Sequence, residues 1–93
     1  MSPLTITGIY PNPFNMSTTI SYKVQSDCCA KLVIYDILGR KVTELHNGTM
    51  RPGIFESVWN GKNDYGETVG SGVYFCSFKT DRYMARGKML LMK

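Results

Sequence analysis

The chain has 93 residues, 43% hydrophobic, 19% charged and 12% aromatic, which fits one folded domain and excludes both disorder and a second core. No apolar run approaches the roughly 18 residues of a membrane helix, and nine glycines and four prolines without a period exclude collagen-like and low-complexity chains. The net charge of +4 arises in residues 79–93, where Lys79, Arg82, Arg86, Lys88 and Lys93 face only Asp81, because residues 1–78 carry six basic and six acidic side chains.

Residues 1–3 read as a start or linker ahead of a single domain over 4–93, and Met1-Ser2-Pro3 lacks the charged start and apolar stretch of a secretory leader. Thereafter apolar residues recur with period two between clusters of Gly, Pro, Asn and Asp, which predicts strands and no helix. Leu4 to Tyr10 is a first strand, stopped by Pro11-Asn12-Pro13, whose prolines cannot donate to a ladder. Thr18 to Val24 is a second, with Ile20, Tyr22 and Val24 on one face, and Ala30, Leu32 and Ile34 mark a third. Asp36-Ile37-Leu38-Gly39 predicts a tight hairpin turn with a left-handed Gly39. A fourth strand returns over Arg40 to His46 with Val42 and Leu45 inward and His46 exposed at its end, and Asn47-Gly48 then opens a loop through Pro52-Gly53. Phe55, Ser57 and Trp59 share one face of a fifth strand. Tyr74, Cys76 and Phe78 share one face of a sixth, and Met89 and Leu91 point inward from a seventh over about Tyr83 to Met92. About seven short strands in this length predict an all-β fold, an Ig-like antiparallel β-sandwich. Its expected core holds Ile20, Tyr22, Leu32, Ile34, Trp59, Tyr74, Phe78 and Met89.

Little here points to chemistry. Basic groups alternating with small and apolar residues read as the wet face of a strand, which suits a solvated edge or protein recognition better than nucleic acid. Cys28, Cys29 and Cys76 are an odd count with no zinc spacing. Cys28 and Cys76 are expected inward as free thiols. One histidine and seven scattered carboxylates supply no converging nucleophile and base, so no enzyme, cofactor or metal is expected. Asn63, Asp64 and Glu67 offer oxygens, but Lys62 and Tyr65 stand where an EF-hand loop needs a ligand and a glycine. Val73-Tyr74-Phe75-Cys76 is similar to the late strand of antibody-type domains, while Trp59 lies too far along the chain for that framework.

The punctuating segments are more specific as a set. Tyr10-Pro11-Asn12-Pro13-Phe14-Asn15, then Ser17 to Tyr22, resembles the YPNPFNP and STTISY opening of the type A C-terminal sorting domain of type IX secretion. The likeness continues through Val33 to Val42, Trp59 to Asp64 and Ser71 to Phe75, and ends in Lys88-Met89-Leu90-Leu91-Met92-Lys93. Met16, Asn60 and Cys76 depart from the family's usual proline, aspartate and tyrosine. The resemblance implies a non-catalytic tag of Bacteroidetes-type bacteria that takes an N-terminal cargo domain from the periplasm across the outer membrane. Its implied partners are an outer-membrane translocon and a sortase-like peptidase, with no nucleic acid or small-molecule substrate, and its implied destination is the cell surface or the medium. Lys88, Met89, Leu91 and Lys93 are the export-signal candidates. A structural or adhesive Ig-like module appended to a secreted enzyme is the alternative reading.

Overall fold

The computed structural model describes residues 4–93, so the expected linker over residues 1–3 lies outside the described residues. Seven strands follow in order: β1 (Leu4–Tyr10), β2 (Thr18–Val24), β3 (Cys28–Asp36), β4 (Lys41–Met50), β5 (Gly53–Trp59), β6 (Gly72–Lys79) and β7 (Met84–Leu91). They form a three-stranded sheet, β1-β2-β5, and a four-stranded sheet, β4-β3-β6-β7. Every pairing between strands is antiparallel. The two sheets face each other, as period two requires: each strand turns one set of side chains into a shared core and the other to solvent.

The fourth strand distinguishes this sandwich from a constant-type antibody domain. There it joins the sheet of the first strands; here β4 stays beside β3. Tyr74 nevertheless builds the corner that its Tyr-x-Cys setting suggested. Its hydroxyl donates to the Gly70 carbonyl, four residues upstream, at 2.6 Å.

The core is aromatic at both ends. Trp59 lies edge-on to Phe14 and Tyr74, with ring centroids 5.5 and 5.1 Å away, and its indole N–H donates to the Lys62 carbonyl. Tyr22 meets Phe78 edge-on at 4.5 Å and stacks on Phe55. All eight expected core residues are buried, joined by Leu4, Phe14, Val24, Ala30, Met50, Cys76 and Leu91.

Two expectations need correction. β4 runs on through Asn47-Gly48 to Met50, where a loop was expected. Register shifts between Leu32 and Val33, and again between Ile34 and Tyr35, break its alternation, so the hydrophobic period fades while the ladder continues. His46 is half-buried opposite Leu32, and its Nε2 is shielded without a hydrogen-bond partner among the described residues. The re-phased register turns it toward the sandwich. Cys28 points inward as expected, packed against the core but only half-buried because it sits where β3 begins.

Candidate recognition surface at the terminal strand

β7 is an outer strand of its sheet, hydrogen-bonded on one side to β6. An outer strand presents a row of unpaired amides and carbonyls on its other side. Here the segment between β1 and β2 covers those of its C-terminal half, from Lys88 onward. The Asn12 side chain acts as a miniature backbone: its amide donates to the Lys88 carbonyl at 2.9 Å, and its Oδ1 accepts from the Leu90 amide at 2.9 Å. Two residues on, the Phe14 amide donates to the Leu90 carbonyl, and the Phe14 carbonyl accepts from the Met92 amide. Phe14 and Leu91 thus form a parallel bridge, with the Phe14 ring buried against Trp59. The Tyr10–Pro11 and Asn12–Pro13 peptide bonds that flank Asn12 are cis.

The four candidate residues therefore occupy different places. Met89 and Leu91 are fully buried. Lys88 points outward and is exposed. Lys93 lies past the strand and folds back on the 69–71 loop: its amide donates to the Ser71 hydroxyl at 3.0 Å, and its ammonium donates to the Val69 carbonyl. All four sit along one edge of the sandwich, and both lysines are exposed, Lys88 free and Lys93 tied to the Val69 carbonyl. β1 closes on the same edge, and Gly87 is what permits the approach. A Cβ there would lie 2.4 Å from Ile9 Cδ1 and 2.9 Å from Cys76 Sγ.

The turns are held by their own carboxylates and amides. Asp36 Oδ1 accepts from the Leu38 and Arg40 amides, and Oδ2 pairs with the Arg40 guanidinium at 2.9 Å. The Arg40 amide, then its guanidinium and the Leu38 amide, hold the Asp36 carboxyl below its ordinary value despite some desolvation. Asn63 Oδ1 accepts from the Tyr65 and Glu67 amides, and its amide donates to Glu67. Asp64 Oδ1 accepts from the Thr43 hydroxyl and the Glu44 amide, tying this loop to β4. The oxygens around residue 63 are thus spent on folding the loop.

Sequence reasoning missed Asn12 and Phe14 as structural partners of the last strand. A lone aromatic in a loop rich in proline and asparagine carries no period. The family motif around it was the only available signal.

The family model described as the secretion system C-terminal sorting domain matches residues 8–92, nearly the whole of the sandwich and both halves of the Asn12 contact. The chain belongs to this family. It is a secretion-system C-terminal sorting domain, a segment that marks the protein carrying it for secretion. Sorting domains of this family are generally non-catalytic.

The fold is shared with solved structures. Dimeric latent PorU from Porphyromonas gingivalis is 24% identical, matching 99% of this chain and 10% of its own, with a TM-score of 0.71. PorZ, an essential bacterial surface component of the type-IX secretion system of the same organism, is 22% identical over 92% of this chain and 11% of its own, with a TM-score of 0.64. A β-glucosidase from Kluyveromyces marxianus matches 97% of this sorting domain and 14% of its own chain at 11% identity and a TM-score of 0.61. The sorting domain thus spans about a tenth of the length of PorU and PorZ. Among curated proteins no match was found.

Proposed function

We propose that the export signal of this sorting domain is the β7 edge, with Lys88 and Lys93 as its charged contacts and Met89 and Leu91 as the anchors that fix their positions. Its readers are the outer-membrane translocon and then a sortase-like peptidase, acting on a cargo domain N-terminal to residues 4–93. The observation that carries this reading is the Asn12 clamp, which joins the family's opening motif to its closing one across 76 and 78 residues. A strand held on both sides presents its outward side chains in fixed register, and fixed charge geometry favours one partner over others. The buried pair supplies anchorage rather than contact.

The test is export of a periplasmic reporter fused to residues 4–93, in a host with the type IX machinery. The intact fusion is expected outside the cell. Deleting the last few residues, Lys88→Glu alone, or Lys88→Glu with Lys93→Glu should trap it in the periplasm. Melting curves of the purified variants separate misfolding from lost recognition, and Lys88→Glu should melt within a few degrees of the parent because exposed positions tolerate change. Normal export of a folded Lys88→Glu domain removes that charge from the signal. Retention of the intact fusion removes the proposed route.

A further inference from the structure

The two outer faces of the sandwich are electrically unlike. On the β1-β2-β5 face, register places Thr5, Lys23, Ser21, Thr19, Ile54, Glu56 and Val58 outward, with one charge of each sign. On the β4-β3-β6-β7 face, directly opposed residues form successive rows. One row reads Asn47, Lys31, Lys79, Met84; the next Glu44, Val33, Ser77, Arg86; the third Lys41, Tyr35, Phe75, Lys88. Five of the eleven Lys and Arg residues and one of the seven carboxylates thus share this face. The remaining six of each sign cancel, so the formal excess of +4 resides here.

Among the described residues the ion pairs are Arg40–Asp36 and Lys41–Asp64, which leaves Lys31, Lys79, Arg86 and Lys88 without one. Lys31 and Lys79 stand directly opposite each other, an arrangement that costs stability. Beside these charges lies a cleft of about 330 Å³ lined by Tyr35, Ile37, Phe75, Met84, Arg86 and Asp36, whose carboxylate is paired with Arg40. At its rim the β3–β4 hairpin tip holds Ile37 and Leu38 69% and 72% exposed, with no packing role.

We propose that this face docks an acidic polypeptide segment that places an aliphatic side chain in the cleft; the proposal deepens the reading that the secretion machinery recognises this domain. Strands spaced about 4.8 Å apart put Lys41 and Lys88 about 14 Å from each other with Tyr35 and Phe75 between them, a width that an extended peptide crosses in a few residues. Uncompensated cations attract carboxylates and steer their approach. The exposed apolar groups are aliphatic, and Phe75 and Tyr35 are half-buried. That combination suits side-chain anchors better than the open stacking platforms that single-stranded nucleic acid requires.

The test uses the 93-residue chain and three probes: a 12-residue peptide alternating Glu or Asp with Leu, its Gln/Asn counterpart, and a 12-nucleotide single strand. The acidic peptide should shift the amide resonances of Tyr35, Phe75, Ser77 and Arg86, and weaken at least tenfold between low and 0.3 M salt. Lys31→Glu with Arg86→Glu should weaken it a further tenfold or more, while Lys23→Glu on the other sheet leaves it unchanged. Lys31→Glu alone should raise the melting temperature while weakening binding, a split that a purely structural lysine would not give. Equal binding of the neutral peptide, shifts that map to β5, or tighter binding of the oligonucleotide overturns the proposal. Binding to the purified domain needs no secretion machinery, so a failed reporter export and a failed peptide titration are separate results.

Discussion

At the scale of single residues, Cys76 shows how burial alone changes chemistry. Its side chain is fully buried beneath β7, and desolvation pushes its thiol from 9.0 up to about 11, against smaller opposing hydrogen bonds. The folded state therefore favours the neutral thiol. That preference contributes fully below about pH 9 and disappears as pH rises through about 11, a loss of about 2–3 kcal/mol by linkage. Urea midpoints followed from pH 8 to 11 should fall, and Cys76→Ala should flatten the fall relative to its own value at pH 8. The comparison with the variant isolates Cys76 from Tyr74, whose hydroxyl is also pushed up, first by burial and then by Asp36. Thiol counting on the unfolded, unreduced chain should return three free groups, in keeping with three free cysteines in the fold. In the native state exposed Cys29 should be alkylated first and Cys76 last.

At the scale of elements, the loop between β1 and β2 is as much a part of the four-stranded sheet as of the three-stranded one. Asn12→Ala removes the partners of one β7 carbonyl and one β7 amide. Water can reach both, so the expected cost is about 1–2 kcal/mol, the sum of two ordinary hydrogen bonds. Hydrogen exchange should localise it: the Leu90 amide should exchange much faster, while Met89, whose amide faces β6 by strand alternation, should change only with global stability. Equal acceleration at both positions would mean that the whole strand, not the clamp, had been lost. The strands were legible in sequence wherever one face is apolar and the other polar, as in Ile20-Ser21-Tyr22-Lys23-Val24. They were illegible where bulges re-phase the pattern, which is why β4 looked finished at His46 and His46 looked exposed. Of the candidate site, the inward Met89 and Leu91 were readable from period two. The back-folding of Lys93 onto Val69 and Ser71 was not, because it joins positions more than twenty residues apart outside any ladder.

At the scale of the molecule, Trp59 on β5 joins the two sheets at one end of the core, touching Phe14 from the linking loop and Tyr74 from β6. Trp59→Ala should cost roughly 3–5 kcal/mol, comparable with the whole stability of a small domain. A shift of less than a few degrees in melting temperature would show that the core is not organised around it. The sequence reached this because Trp59 alternates with Phe55 and Ser57 and precedes a dense turn, both local signals. It did not reach the basic face, since Lys31 and Lys79 are neighbours only through β3–β6 pairing and charge was counted along the chain instead of across the sheet. The Asn12 clamp has a temporal meaning as well. Its two halves are separated by more than seventy residues, so a ribosome that stalls before β7 releases a chain whose first loop has nothing to grip and whose β6 edge stays open. Such a fragment lacks both the recognition edge and part of the basic face. On the proposal that the β7 edge is the export signal, the same contact would let an exporter distinguish a finished domain from one whose synthesis stopped before β7.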